Sequence, residues 1–138
     1  MNYEKVAEKI KKFEGYRAFP YLDTTGNVTV GYGHNLSTNG IGHDIALILL
    51  KQDIEFAEEM VREKIPFYNK LDEARQFVLI DMCFNMGFYK LKGFKKMLAA
   101  LKAGDYKTAA KEMLDSVWAR QVKSRAKKLA QIMETGEY

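Results

Sequence analysis

Phe13-Glu14-Gly15-Tyr16-Arg17, followed by Tyr21-Leu22-Asp23-Thr24-Thr25-Gly26-Asn27-Val28-Thr29-Val30-Gly31-Tyr32-Gly33-His34, decides how this chain folds. On its amino side Val6, Ile10 and Phe13 recur at helical spacing, while Glu4, Glu8, Lys9, Lys11 and Lys12 fall mostly on the other faces. The helix so predicted, Tyr3 to Phe13, stops near Glu14-Gly15, because glycine accepts the left-handed backbone of a helix terminus. From Tyr21 to Tyr32 the composition turns to Thr, Val and Tyr, with Thr25-Gly26-Asn27 as a turn signal in the middle. That pattern predicts a β-hairpin. Gly31 and Gly33 allow close backbone approach at its end.

Further along, Asn39-Gly40 signals a second turn, and a long helix is expected from about His43 to Lys64. Its apolar positions are Leu47, Leu50, Ile54, Ala57 and Val61, and Pro66 ends it. Asp72 is the expected N-cap of the next helix, which runs to Met86 and stops at Gly87. Phe77, Val78, Leu79, Ile80, Met82, Cys83, Phe84 and Met86 make it apolar on nearly all sides, the pattern of a helix at the centre of a bundle. Asp81 and Asn85 are its polar exceptions, marking either the edge of a site or a solvent strip. Shorter helices are expected over Phe94–Ala103, Tyr106–Leu114 and Lys123–Met133, with Gly104 and Gly136 as stops. The expected class is α+β and mainly helical: a small β-hairpin lobe and a larger helical lobe, joined by the long helix.

Composition narrows the function classes. The chain has 138 residues, 47% hydrophobic and 29% charged, which is globular composition. A chain of this length buries about two-thirds of its unfolded surface, enough for a core without staples. Its one cysteine, Cys83, cannot form an intrachain disulfide, and with two histidines it leaves a Cys/His metal centre poorly supplied. Cys83 reads as a core residue and the methionines as gap-filling core. Gly31-Tyr32-Gly33 lacks the third glycine of a dinucleotide fingerprint, so no cofactor or metal is expected. The longest apolar run, Ile45 to Leu50, is far short of the roughly eighteen residues a membrane span needs. The opening Met1-Asn2-Tyr3-Glu4-Lys5 lacks the apolar region of a signal peptide. Stable membrane insertion is therefore not expected.

The net charge of +4 is uneven. Residues 88–138 carry 12 Lys and Arg against 5 Asp and Glu, whereas residues 1–87 carry 10 against 13. A basic half attracts polyanions such as nucleic acid, anionic lipid or an acidic wall polymer; it is also what an ordinary solvated helix surface looks like. Lys123, Arg125, Lys127 and Lys128 share one short segment, so a nucleic-acid-binding helical protein is the main alternative from outside the enzymes. A wall-binding or membrane-disrupting module without hydrolysis is a third reading. Both leave the hairpin carboxylates unexplained.

Those carboxylates are Glu14 and Asp23. Glu14 falls at the carboxyl end of the first helix, whose partial negative charge disfavours an ionised carboxylate, as a general acid requires. Asp23 begins the hairpin, where Thr24, Thr25 and turn amides can donate to it and favour the ionised form. Two carboxyls in unlike environments divide into acid and base, the logic of glycoside hydrolysis. By itself such a pair is also what surface charges and turn caps look like.

The whole string is more specific. Glu14-Gly15, an eight-residue gap to Asp23, Thr29 six residues beyond, and Gly31-Tyr32-Gly33-His34 closely resemble the active-site region of phage-type lysozymes, glycoside hydrolase family 24. Gln52-Asp53, Leu71-Asp72-Glu73-Ala74-Arg75, Met82-Cys83-Phe84-Asn85-Met86-Gly87, Gly93-Phe94, Trp118 and Arg125-Ala126-Lys127 look like later family landmarks in the right order. The resemblance implies one lysozyme-like catalytic domain over 1–138. Its hairpin lobe would span about 14–42, and its helical lobe about 65–138 plus the N-terminal helix.

The implied activity is a muramidase that hydrolyses the β-1,4 bond between N-acetylmuramic acid and N-acetylglucosamine in peptidoglycan. Glu14 would protonate the departing oxygen, and Asp23 and Thr29 would hold the attacking water, as in an inverting enzyme. Inversion sets the two carboxyls roughly 6.5–9.5 Å apart. A threonine hydroxyl can both accept from and donate to that water. Arg125 resembles the arginine that pairs with the catalytic glutamate, His34 and Asp53 a structural ion pair, and Phe84 a cleft-lining aromatic that binds substrate. Only 17 residues separate His34 from Gln52, so Asn35 to Ile45 is expected to form an abbreviated lip. The expected partner is peptidoglycan, with no nucleic acid. The protein is expected to be a monomer that waits in the host cytoplasm for a separate pore-forming holin before it reaches the wall.

Overall fold

Asn2 opens the first helix by accepting the Lys5 N–H at 3.0 Å, and α1 (Tyr3–Glu14) ends where Gly15 turns to a φ of 71°. The computed structural model describes residues 1–138. Three antiparallel strands follow, β1 (Arg17–Leu22), β2 (Val28–Gly31) and β3 (His34–Asn35), in the order β1-β2-β3. Leu22 pairs with Val28 and Tyr21 with Thr29, and the register then breaks before Arg17 meets Gly31. Pro20 lies in that break and has no N–H to give a ladder. The expected hairpin is present and starts four residues early. A strand as short as β3 carries no readable alternation, so the sequence did not announce it.

α2 (Leu36–Asn39) is a single turn capped by the Asn35 side chain. α3 (His43–Lys64) has the bounds its apolar spacing and Pro66 imply. After a 3₁₀ turn at Tyr68–Lys70, α4 (Glu73–Met86) begins at Asp72, whose carboxylate accepts the Arg75 N–H, and ends at Gly87 with φ 83°. α5 (Phe88–Leu91), α6 (Lys95–Lys102), α7 (Tyr106–Leu114), α8 (Val117–Val122) and α9 (Ser124–Thr135) complete the chain. α5 and α8 were not expected, being too short to show periodicity. Lys123, with φ 48°, divides α8 from α9. No helix is long and apolar enough to cross a membrane.

The chain divides into two compact units, Met1–Ile48 and Leu49–Tyr138. α1, expected with the helical lobe, falls within the first. The hydrophobic core lies in the second: Val61, Val78, Leu79, Met82, Leu91, Met97, Leu101, Met113 and Met133 are all fully buried. Cys83 is buried among them, as expected, and burial pushes its thiol above the usual range. In the first unit Thr29 alone is buried.

Two burial expectations need correction. On α3 only Ala57 and Val61 are buried, while Leu47, Leu50 and Ile54 are exposed. On α4 Val78, Leu79, Met82 and Cys83 are buried, but Phe77, Ile80 and Phe84 are not. Leu50, Ile54, Phe77, Ile80 and Phe84 instead line an open pocket of about 600 Å³, so apolarity here marks a groove as well as a core.

One polar group is built into the helical unit. Arg75 is only 6% exposed, donating from Nε to the Met133 carbonyl at 2.8 Å and from Nη2 to the Glu134 carbonyl at 2.9 Å. Its Nη1 pairs with Asp72 at 2.8 Å, and its guanidinium lies 3.7 Å from the Tyr106 ring centroid. A cation on the last carbonyls of α9 satisfies acceptors the helix cannot, at its negative end.

Candidate active site

The carboxyl end of α1 delivers Glu14. The Gly15 N–H returns to the Lys11 carbonyl at 2.9 Å, which closes the helix and leaves the Glu14 side chain free to reach outward. Its carboxyl lies directly against the Cα of Gly33: a Cβ built there would stand 2.5 Å from Glu14 Oε2. The glutamate and the Gly31-Tyr32-Gly33-His34 motif, 17 or more residues apart, thus meet within the first unit.

Asp23 opens the turn between β1 and β2. Three donors converge on its Oδ1: the Thr25 N–H and Thr25 Oγ1, each at 2.9 Å, and the Asn27 N–H at 2.8 Å. These hold its carboxyl below the ordinary value of 3.8, the Asn27 N–H contributing most. The ionised form expected from the sequence is the favoured one. Its donors come from Thr25 and Asn27, with no contribution from Thr24.

Thr29 lies on β2, 3% exposed, and its Oγ1 donates to the Asn27 carbonyl at 2.9 Å. The same carbonyl accepts the Asp23 N–H at 2.9 Å. The Thr29 proton is therefore already given away, which leaves the hydroxyl oxygen as an acceptor. Sequence reasoning allowed the hydroxyl either direction, and the fold chooses one.

Asn27 is the residue that sequence reasoning missed. Its N–H holds Asp23, its carbonyl holds both Asp23 and Thr29, and its Nδ2 donates to Thr25 Oγ1 at 2.9 Å. The available signal was its place in Thr25-Gly26-Asn27, where Gly26 takes φ 83° and tightens the turn.

Of the remaining candidates, His34 and Arg125 have polar partners, while Asp53 and Phe84 line pockets. His34, on β3 opposite Val30, sets Nε2 2.5 Å from the Gly40 carbonyl. Arg125, on α9, gives Nε and Nη2 to the two oxygens of Asp81, each at 3.0 Å. Arg125 and Phe84 both line the pocket of about 600 Å³, and Phe84 also shares a pocket of about 270 Å³ with Asp53. Asp81 and Asn85 now separate into two roles. Asp81 engages Arg125 beside the pocket, whereas Asn85 accepts the Trp118 indole N–H at 2.8 Å.

A mainly helical chain with one small three-stranded antiparallel sheet is consistent with a lysozyme-like α+β fold, and its relatives make it a glycoside hydrolase of lysozyme type. The Phage lysozyme family model matches residues 11–133, and the chain belongs to that family. It is 30% identical to a protein named probable T4-type lysozyme 2 of Dictyostelium discoideum, over 94% of this chain and 93% of that one. To probable T4-type lysozyme 1 of the same organism it is 26% identical, over 95% and 94%. It is also 29% identical to the pre-baseplate central spike protein Gp5 of Enterobacteria phage T4, over 95% of this chain but only 28% of the spike protein.

Proposed function

We propose that this chain is an endo-acting muramidase that cleaves the β-1,4 bond between N-acetylmuramic acid and N-acetylglucosamine with inversion at the anomeric carbon. Glu14 is the general acid, giving its proton to the departing glycosidic oxygen as that bond breaks. Water attacks the opposite face of the sugar. Asp23 takes the proton that water loses, and the Thr29 oxygen accepts its other hydrogen and fixes its direction. Arg125, His34 and Asp53 support this machinery, and Phe84 contacts the glycan.

The observation that carries the reading is the double use of Asn27. One residue holds Asp23 as an anion and turns the Thr29 hydroxyl into an acceptor, so both groups favour a water that loses a proton. A nucleic-acid-binding surface would need neither. The protein acts as a single catalytic domain and a monomer on peptidoglycan strands. It resides in the host cytoplasm before lysis and is released to the wall by a separate holin.

Digestion of purified peptidoglycan, with mass spectrometry of the fragments, is the direct test. Reducing ends at muramic acid are expected, and anhydro-muramic ends would indicate a transglycosylase instead. Proton NMR of the first product should find the α anomer, and an initial β anomer would exclude inversion. Glu14→Gln should abolish wall lysis while leaving the circular dichroism spectrum unchanged. Lysis at the normal rate by that variant would remove Glu14 from the mechanism.

A further inference from the structure

Eight glycines of this chain take a positive φ, and at one of them the missing side chain adjoins a functional group of the proposed reaction. Gly15, Gly26 and Gly31, with φ of 71°, 83° and 71°, have nothing within 4 Å of a built Cβ. Gly33, with φ 73°, would place a Cβ 2.5 Å from Glu14 Oε2, 2.7 Å from Cδ and 3.2 Å from Cγ. Ordinary contact begins at about 3.4 Å. The space a side chain would occupy at residue 33 is filled by the Glu14 carboxyl.

The backbone that forms this seat is itself fixed. Val30 pairs with His34 across β2 and β3, and His34 is bonded to the Gly40 carbonyl, so the segment carrying Gly33 is anchored just beyond it. When a methyl group is added there, the flexible end of Glu14 must yield.

We infer that Gly33 is a positioning residue for the reaction: by lacking a Cβ it seats the Glu14 carboxyl where it delivers its proton. The inference rests on the reading of Glu14 as general acid. A methyl group at residue 33 would push the carboxyl by about 0.9 Å, the interval between the built and the ordinary contact distance. Proton transfer works across a heavy-atom window of roughly 2.6–3.2 Å, narrower than that displacement. A misplacement of about 1 Å costs on the order of 100-fold in rate.

The test compares Gly33→Ala with Gly104→Ala, which lies outside the proposed machinery at φ 76° with open space around a built Cβ, on soluble, uncrosslinked peptidoglycan strands below the melting range of both variants. Each places alanine at a positive φ and should lower the melting temperature to a similar extent, which separates backbone strain from displacement of Glu14. Gly33→Ala is expected to lose about 100-fold in kcat with KM nearly unchanged, while Gly104→Ala retains kcat within a few-fold. Equal losses of kcat in the two variants would overturn the inference.

A second comparison works even if Gly33→Ala is poorly stable. In a Glu14→Asp background the carboxyl is withdrawn by one methylene, so adding Gly33→Ala should cost only a few-fold more. An undiminished 100-fold loss there would overturn the inference too. Glu14→Gln, assayed alongside, separates the two levels. Full activity in that variant removes the acid assignment itself, whereas a dead Glu14→Gln with matched alanine variants removes only the role of Gly33.

Discussion

Arg125 on α9 sets its Nε and Nη2 against the two carboxylate oxygens of Asp81 on α4, 44 residues away in sequence, each at 3.0 Å. Two parallel bonds fix the plane of a guanidinium in a way that one contact cannot. The Asp81 side chain is 19% exposed and that of Arg125 41%, so the pair is partly wet. Its worth is accordingly modest, about 1 kcal/mol after allowance for screening. Asp81→Ala should lower the unfolding free energy by that amount, read from the shift of the urea midpoint at unchanged slope. Arg125→Lys should do much the same, since an ammonium cannot reproduce the fork. An Arg125→Lys protein as stable as the parent would show that the planar geometry contributes nothing.

Asp23 gives the pH prediction. Its carboxyl is held below 3.8 by the Asn27 N–H first, with Thr25 Oγ1 and the Thr25 N–H adding to it. A depressed carboxylate favours the folded state above about pH 3.8, and that contribution fades as pH falls through the lower folded value. Thr25→Ala removes one donor, so the folded value rises toward the ordinary one. If Asp23 is the proton acceptor, the acid limb of the kcat/KM profile should move to higher pH in Thr25→Ala. An unmoved limb would assign that limb to another group.

Thr29 can be tested by keeping or deleting its hydroxyl. Thr29→Ser preserves the donation to the Asn27 carbonyl and should retain most activity. Thr29→Val keeps the shape but loses the oxygen, and kcat should fall on the order of 100-fold. The stability cost of Thr29→Val should stay near 1 kcal/mol, because the Asn27 carbonyl still accepts the Asp23 N–H. Comparable kcat in the two variants would leave Thr29 with packing alone.

Arg75 is a prediction about stability. Replacing it with methionine strips the Met133 and Glu134 carbonyls of their donor and removes the cation from the Tyr106 ring. A loss of about 3 kcal/mol is expected. In a chain of this length that lowers the melting temperature on the order of 10 °C. Differential scanning calorimetry of Arg75→Met checks it; a shift of only a degree or two would mean that water replaces the guanidinium freely.

How legible each feature was in the sequence follows from where its information resides. α3 and α4 could be read almost to the residue, because a period of apolar positions, a capping aspartate and a stopping proline or glycine act within a few residues of chain. The β1–β2 turn was equally plain from Thr25-Gly26-Asn27. α2, α5, α8 and β3 were not: each is too short for a period, and their existence depends on what they pack against. The exposed stripe of α3 and the open face of α4 escaped for a related reason. Periodicity reports that a face is apolar, not whether another element covers it.

The sequence by itself determined the longer helices and the β1–β2 hairpin, the family, and the identity of Glu14, Asp23 and Thr29 as candidates, since all of these are carried by residue type and spacing. Tertiary structure alone decided the rest. It turned Asn27 from a turn residue into the holder of both Asp23 and Thr29, gave Arg125 to Asp81, and pressed the Glu14 carboxyl against a glycine 19 residues away. Hydrogen-bond direction and contact distance are properties of atoms brought together by folding. Residues far apart in the chain state what could meet, and only the folded backbone fixes which of them do.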